Sequence, residues 1–266
     1  MSDILSTILD QKRVEVALLD KANLRQLAFA APLQRDFKAA ITRKTQSDAV
    51  RLIAELKRAS PSKGLLAPNI DLLDVGNQYQ SNGAAAISVL TDEKFFQGKL
   101  QTLIELKYQT GITIPLLRKD FIIDESQLYQ ARAFGADSAL LIVAALEPAR
   151  LQELHDCAIS LGLTPLVEVH NHAELDTALR VSDIQIIGVN NRNLKTFEVS
   201  LETTTSLLPF IPAGITTVAE SGIFNASDVQ ELADAGIDAI LVGEGIITSA
   251  DIPAKVRELA SVRATS

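Results

Sequence analysis

Three stretches of the sequence resemble one another and set the strongest limit on the fold. Each begins with a glycine that ends a helical pattern and continues as an apolar run: GAAAISVL from Gly83, GADSALLIV from Gly135 and GIDAILVG from Gly236. Glycine ends helices in the left-handed conformation, and the apolar run that follows is typical of a buried strand. Apolar strands that alternate with amphipathic helices indicate an α/β fold with a parallel sheet covered by helices.

The same signals predict eight strands. They lie near residues 51–57, 85–90, 114–118, 138–143, 164–169, 184–190, 216–220 and 239–243. Helical patterns fall between them, for example from Ser126, Glu147 and Asn225, and DIPAKVRELASV follows the last strand. Eight strand–helix units in 266 residues fit a closed (β/α)8 TIM barrel better than an open doubly wound sheet.

The residues before the first strand carry a helical pattern of their own. Ile4, Leu5, Ile8 and Leu9 have the spacing of one helix face. We expect residues 1–49 to form an N-terminal helical extension packed on the barrel. No linker-like stretch or change in composition marks a second domain, so residues 1–266 are predicted to form a single domain.

Charge and cysteine content limit the partners and the setting. A net charge of −8 at pH 7 and a pI near 5.0 argue against nucleic acid. The longest apolar run, residues 139–146, is far shorter than the about 20 residues that cross a bilayer, so no membrane partner is expected. Cys157 is the only cysteine, which excludes an intrachain disulfide and favours a reduced, cytoplasmic setting.

Polar residues gather at the carboxyl ends of five predicted strands, the end that we call the mouth of the barrel. They are Glu55 and Lys57 (first strand), Lys119 (third), Glu168 (fifth), Asn190 and Arg192 (sixth), and Glu220, Ser221 and Gly222 (seventh). Any one of them could be structural, and Glu55 with Lys57 alone could be a surface ion pair. Five strands that deliver polar groups to one mouth favour a site, because unpaired buried charges are costly. Three carboxylates and three cations leave the mouth near neutral, so pairing within it is expected.

Two glycine-bearing loops, AESGIFNASD and LVGEGIITS, follow the last two strands. The backbone amides of Ser221, Gly222, Gly243 and Glu244 can converge there on an anion, at the usual phosphate position of such barrels. Tight turns alone would also use these glycines. Because GEG lacks the spacing of a dinucleotide fingerprint, a sugar phosphate fits better than a nucleotide.

Two other candidate sites are weak. His170 and His172 follow the fifth strand without an evident third ligand, so no metal site is predicted and a surface loop is expected there. Cys157 lies on an amphipathic helix without an obvious base, and we interpret it as a small buried apolar residue.

Taken together, the motifs resemble those of the indole-3-glycerol-phosphate synthases of tryptophan biosynthesis over the whole chain. ELKRASPSKG, LLRKDF, LVEVH, GVNNRNL, AESGI and LVGEG stand in the family's order. Glu-x-Lys followed by Ser-Pro-Ser is highly specific, whereas AESG and LVGE occur more widely among phosphate-binding barrels. Gly245 departs from the family, which more often has a small non-glycine residue there.

This resemblance implies a reaction and a set of roles. The substrate would be 1-(2-carboxyphenylamino)-1-deoxyribulose 5-phosphate, whose ring closure releases carbon dioxide and water without a metal or a redox cofactor. The implied roles are a general acid (Lys119), a general base (Glu168), cations for the substrate carboxylate (Lys57, Arg192), groups that orient the lysines and sugar hydroxyls (Glu55, Asn190, Glu220, Ser221), phosphate contacts (Ser60, Gly222, Gly243, Glu244) and an apolar wall (Phe96, Phe121, Leu194). Association with other tryptophan-pathway enzymes is a further implication.

Two other functions stay open. Lys119 could be the nucleophile of a Schiff-base aldolase if its pKa were depressed, although neighbouring carboxylates favour the charged lysine. The chain could instead be a non-catalytic phosphate-binding subunit, although the complete acid and base set argues against this.

The loop of residues 60–69, SPSKGLLAPN, is expected to be mobile without ligand and to order over the substrate. Gly64 removes steric restraint, and Pro61 and Pro68 keep both ends from becoming helical. Such a loop would exclude water when it closes.

Overall fold

The computed structural model describes residues 4–60, 64–66, 70–194 and 196–265, with Ser60 described by its backbone alone. Eight parallel strands close a barrel within this part of the chain: β1 (Arg51–Leu56), β2 (Ala86–Leu90), β3 (Leu116–Lys119), β4 (Ser138–Ile142), β5 (Leu166–Val169), β6 (Ile186–Asn190), β7 (Thr216–Glu220) and β8 (Ala239–Val242). Each strand pairs with its neighbours in sequence, and β8 pairs with β1. The predicted (β/α)8 barrel is confirmed, and every strand boundary lies within two residues of its predicted position.

Helices surround the barrel and precede it. The described helices are α1 (Ile4–Ala17), α2 (Lys21–Ala30), α3 (Phe37–Ile41), α4 (Leu72–Ser81), α5 (Glu93–Phe96), α6 (Leu100–Tyr108), α7 (Glu125–Ala133), α8 (Pro148–Ser160), α9 (His172–Ala178), α10 (Glu202–Leu207), α11 (Ala226–Asp234), α12 (Glu244–Ile247) and α13 (Ile252–Ala260). Short 3-10 turns lie at Val143–Ala145 and Leu208–Phe210, and Ala59–Ser60 pairs antiparallel with Gly64–Leu65. None of the described helices combines the length and the apolar character that a bilayer crossing requires.

Aspartate and asparagine side chains fix where several helices begin. Asp92 accepts hydrogen bonds from the backbone amides of Phe95 and Phe96, and Asp124 and Asn225 each form a capping box. These caps satisfy amides that have no partner inside the helix.

The alternation of side chains along the strands divides the core into two layers. Ile53 belongs to the cluster inside the barrel, which Phe37 and Ile41 of α3 close at the amino ends of the strands. Leu52 and Leu56 belong to the larger layer between the sheet and the helices. Glu55 therefore points inward like Ile53, as the strand pattern predicts.

The N-terminal helical extension is confirmed, and it reaches both ends of the barrel. Helix α3 lies at the amino end, α2 packs along α7, and α1 lies over the mouth. The sequence predicted helices packed on the barrel but not that the first of them covers the mouth.

The predicted mobile loop is described only in part, since residues 61–63 and 67–69 lie outside the described residues. Its mobility therefore stays a prediction. Gly64 has a φ of +66°, which proline, held near about −65°, cannot adopt. A proline at this position would therefore distort the loop.

Candidate active site

A cavity of about 180 Å³ opens at the mouth of the barrel. Fourteen of the fifteen predicted site residues line it, namely Glu55, Lys57, Phe96, Lys119, Phe121, Glu168, Asn190, Arg192, Leu194, Glu220, Ser221, Gly222, Gly243 and Glu244. The side chain of the fifteenth, Ser60, lies outside the described residues. The fold thus brings together residues that are spread from the first strand to the last.

Two lysines pair with three buried carboxylates in this cavity. Lys119 Nζ lies 2.5 Å from Glu220 Oε2 and 3.5 Å from Glu168 Oε2, and Lys57 Nζ lies 3.2 Å from Glu55 Oε2. Burial alone would lower the pKa of Lys119, but the charges of Glu220, Glu168 and Glu55 outweigh it and hold that pKa above its ordinary value. Lys119 is therefore an ammonium group, suited to give a proton and unsuited to act as an amine nucleophile.

Glu168 and Glu220 share Lys119 but have different environments. Burial, together with the charges of Glu168 and Glu55, raises the pKa of Glu220 to about 7 despite the closeness of Lys119. Burial acts on Glu168 in the same direction, but there Lys119 and His170 prevail and lower the pKa to about 2. Carboxyl groups whose pKa values are pushed apart can divide acid and base roles between them.

Glu168 has a second cationic neighbour, His170, which lies in the loop after β5 as predicted but has a buried side chain. Its side chain is only 7% exposed, with Nε2 3.2 Å from Glu168 Oε1 and Nδ1 2.9 Å from Glu174 Oε2. Burial lowers the pKa of His170, but these two carboxylates outweigh it and raise the pKa to about 10. The His172 ring, in contrast, packs edge-on against Phe210 at the surface. Among the described residues, no cluster of three His, Cys, Asp or Glu side chains could hold a metal ion.

We expect the stabilising effect of the His170 ion pairs to depend on pH. Because the pKa of His170 rises from 6.5 to about 10 on folding, its contribution is fully present below pH 6.5 and is lost as the pH rises to 10. The Tm advantage of wild type over His170→Gln should therefore shrink across this range in thermal melts. An advantage that stays constant through the range would contradict the assignment.

The loops after β6 and β7 form one side of the mouth. Ser221 and Gly222 have φ values of +67° and +80°, and the left-handed conformation is unusual for serine. Asn191 holds this turn, because its Nδ2 donates to Ser221 O at 3.1 Å while its Oδ1 accepts from Thr204 N and Oγ1. Asn191 was not predicted as a site residue, although the doubled asparagine of GVNNRNL was visible in the sequence.

Glycine is required at three positions, because neighbouring atoms lie too close to the backbone there to admit a Cβ atom. A Cβ atom on Gly243 would collide with the Glu55 carboxylate, and one on Gly188 would collide with the Glu220 carboxylate. At Gly245 a Cβ would lie 2.7 Å from the carbonyl oxygen of Ile223, so this glycine lets the loop after β8 pack against the loop after β7. The carboxylates of the mouth thus occupy space that neighbouring strands leave free.

The opposite side of the mouth is apolar. The rings of Phe96 and Phe121 lie 6.0 Å apart at an angle of 34°. Leu194, in the loop after β6, adds an apolar side chain to the same cavity from the other side. Ile4 and Ile8 of α1 extend this wall. Their helical spacing is visible in the sequence, but nothing in the sequence indicates that they face the site.

A buried ion cluster ties α1 to the mouth. Lys12 is 2% exposed, and its Nζ lies 2.7 Å from Asp92 Oδ2 and 2.9 Å from Asp120 Oδ1. Asp120 follows Lys119 directly and also contacts Thr91 and Arg118. Burial would raise the pKa of Asp120, but Arg118 and Lys12 prevail and lower it to about 2. We call Lys12, Asp92, Asp120 and Arg118 the α1 anchor.

Comparison with known proteins gives the family. The family model for indole-3-glycerol phosphate synthase matches residues 5–259. The chain belongs to the indole-3-glycerol phosphate synthase family. Members of this family are carboxy-lyases of tryptophan biosynthesis. The family resemblance of the sequence motifs is therefore confirmed.

Relatives named indole-3-glycerol phosphate synthase are similar to this chain over nearly its whole length. The protein of Chloroherpeton thalassium is 49% identical over 249 residues, which cover 92% of this chain and 95% of the relative. The protein of Laribacter hongkongensis is 47% identical over 264 residues, which cover 97% of this chain and 99% of the relative.

Solved structures of more distant proteins share the fold alone. The 3-hexulose-6-phosphate synthase from Salmonella typhimurium has a TM-score of 0.63 at 14% identity and covers 79% of this chain and 97% of its own. The N-acetylmannosamine-6-phosphate 2-epimerase from Clostridium perfringens has a TM-score of 0.61 at 13% identity and covers 80% of this chain and 91% of its own.

Proposed function

We propose that the mouth of this barrel converts 1-(2-carboxyphenylamino)-1-deoxyribulose 5-phosphate to indole-3-glycerol phosphate with loss of carbon dioxide and water. One observation carries this proposal for the site. The buried ammonium group of Lys119 lies between Glu168 and Glu220, in a cavity that also holds cations for a carboxylate and an apolar wall for an aromatic ring.

The first step forms a carbon–carbon bond. The ring carbon that bears the carboxylate attacks the ribulose carbonyl, whose oxygen develops negative charge. Lys119 gives this oxygen a proton, and its ammonium group stabilises the charge as it forms. Lys57 and Arg192 hold the substrate carboxylate, with Glu55 orienting Lys57 through their ion pair. Carbon dioxide then leaves, and the bonding electrons return to the ring.

The second step removes water. Glu168 takes a proton from the carbon next to the ring nitrogen, and the new hydroxyl group leaves with a second proton from the acid side of the mouth. Asn190, Glu220 and Ser221 position the hydroxyl groups. The protein gives the substrate two protons and takes one back, so each turnover consumes one proton. This balance is required because a carboxylate leaves as neutral carbon dioxide.

The two ends of the substrate meet different surfaces. The amides around Gly222, Gly243 and Glu244, with Ser60, bind the phosphate. Phe96, Phe121 and Leu194 pack on the aromatic ring. Gly243 lies close to the Glu55 side chain, which supports a phosphate position next to the polar end of the cavity.

The direct test mixes purified protein with the carboxyphenylamino-deoxyribulose phosphate and follows indole fluorescence without added metal or nucleotide. Indole-3-glycerol phosphate should accumulate until the substrate is consumed. Absence of indole fluorescence from folded protein would refute the proposal. Borohydride with a ketose phosphate should leave Lys119 unmodified, because its amine is charged.

Arg192→Ala is expected to weaken substrate binding more than turnover. A cation that faces a fixed carboxylate acts in both ground and transition states, so KM should rise by about tenfold or more while kcat changes less. The KM of Arg192→Lys, which keeps the charge without the planar fork, should lie between those of wild type and Arg192→Ala. A collapse of kcat at unchanged KM in steady-state assays would remove Arg192 from carboxylate binding.

Three expectations stay predictions: that residues 1–266 form a single domain, that the protein is cytoplasmic, and that it associates with other tryptophan-pathway enzymes. Sedimentation of the purified chain with and without such an enzyme would test the last of these.

A further inference from the structure

Glu168 has a partner that the mechanism above does not use. We propose that His170, held by Glu174, is a positioning residue that orients the Glu168 carboxylate and keeps it ionised, and so sets the acid limit of the reaction. This inference rests on the proposed function, because it takes Glu168 to be the base that removes the substrate proton.

The placement of His170 follows from strand geometry. It comes directly after β5 and lies two residues beyond Glu168, so both side chains leave the backbone on the same side. Its Nε2 lies 3.2 Å from Glu168 Oε1, whereas Glu168 Oε2 faces Lys119 at 3.5 Å. One carboxylate oxygen is therefore held from behind, and the other is directed toward the acid and the substrate.

The contact between His170 Nε2 and the Glu168 carboxylate is an ion pair. Nε2 is buried without a well-aligned hydrogen bond among the described residues, although Glu168 Oε1 lies 3.2 Å away. Such a buried donor gains a full hydrogen bond through a small rotation of the carboxylate. Substrate binding that draws Oε2 forward would supply that rotation.

Glu174 fixes the imidazole ring from the other side. Its Oε2 accepts hydrogen bonds from His170 Nδ1 at 2.9 Å and from the His170 backbone amide at 2.8 Å. Its Oε1 accepts from Asn171 Nδ2 at 2.7 Å, and its own amide donates to Asn171 Oδ1 at 3.0 Å. A carboxylate that holds one ring nitrogen fixes the orientation in which the other meets its partner.

The charges around Glu168 show why His170 matters. Lys119 of β3 and His170 favour its ionised form, Asn190 of β6 donates to it, and Glu220 of β7 repels it. Lys119 lies closer to Glu220 than to Glu168, so Glu168 has only a share of that cation. The groups that face His170 itself are Glu168 and Glu174. Removal of His170 therefore leaves Glu168 harder to ionise and its carboxylate free to turn.

The experiment compares His170→Gln and Glu174→Gln with a matched control, His155→Gln. His155 is also buried, at 1% exposed, but lies on α8, and Glu168 is not among its charged neighbours. Each variant is assayed for kcat and KM across the acid pH range with the carboxyphenylamino-deoxyribulose phosphate. The ionisation of Glu168 is read directly from the 13C signal of labelled glutamate carboxyl groups, assigned with Glu168→Gln.

His170→Gln should raise the titration midpoint of Glu168 by about 1–3 pH units, the usual effect of losing an adjacent opposite charge. Its kcat should fall by about 10- to 100-fold, with KM within about threefold of wild type, as for loss of a group that orients a functional side chain. Glu174→Gln should shift the midpoint in the same direction by less, and His155→Gln should not shift it.

An unmoved Glu168 midpoint in folded His170→Gln overturns the inference, even if kcat falls, because a purely structural role would lower activity without changing that titration. If His170→Gln does not fold, Glu174→Gln gives the deciding result, and an unmoved midpoint there overturns the inference. Failure of the proposed function is distinct, since wild type would then form no indole-3-glycerol phosphate at any pH.

Discussion

The Lys119→Ala variant should lose about two to four decades of turnover, the effect of removing a positioned general acid. The developing oxyanion of the ring-closing step would then have neither a nearby proton nor the charge that stabilises it. We expect folding to be barely affected, because Glu220, whose pKa is already near 7, can take up a proton and relieve its repulsion with Glu168. The measurements are kcat from indole fluorescence and Tm from circular dichroism.

Two further results sharpen this prediction. Lys119→Arg keeps a cation beside Glu220 but gives up its proton much less readily, so it should keep the ion pair and restore little of the activity. An active Lys119→Ala enzyme, within a few-fold of wild type, would remove this residue from the mechanism.

Lys12→Met is expected to give the largest loss of stability. It leaves Asp92 and Asp120 buried without their shared cation, and breaking a buried ion pair in this way costs about 3–5 kcal/mol. Because the same lysine seats α1 over the mouth, KM should rise as well. Urea unfolding should show a lower midpoint at an unchanged slope, which identifies a change in stability.

Lys94→Met is the matched control for this effect. Lys94 also joins α1 to the region after β2, through a 2.7 Å hydrogen bond to Gln11, but this contact is exposed. Exposed contacts of charged groups contribute about 0–1 kcal/mol, so the control should be nearly neutral. Equal losses of stability in Lys12→Met and Lys94→Met would show that the buried ion pairs of the α1 anchor stabilise the fold no more than an exposed contact does.

Most of the barrel could be predicted because its signals are local. An apolar run after a helix-ending glycine identifies a strand without knowledge of its neighbours, and parallel strands bring their carboxyl ends together whatever the register. The position of α1 could not be predicted in this way. Ile4 and Ile8 define an apolar face, but the partners of Lys12 are Asp92 and Asp120, far away in the sequence.

The different pKa values of the carboxyl groups at the mouth could not be predicted from the sequence either. Glu168 and Glu220 look alike as strand-ending glutamates, but His170 lowers the pKa of Glu168, whereas burial and the charges of Glu168 and Glu55 raise that of Glu220. The two partners of His170 could not be predicted, because Glu168 and Glu174 reach its ring only through the way the end of β5 meets the start of α9. Family resemblance supplied the roles of residues whose individual chemistry the spacing left open.

The α1 anchor makes the position of α1 and the structure around the end of β3, the strand that carries Lys119, depend on each other. Asp120 follows Lys119 in the chain and pairs both with Arg118 and with Lys12, which lies more than a hundred positions earlier. A chimera that receives the eight strands and their loops from this protein and its leading segment from another barrel would therefore leave Asp92 without Lys12 and Asp120 with Arg118 alone. Transplanting the mouth onto a foreign scaffold would require the transfer of α1 together with it.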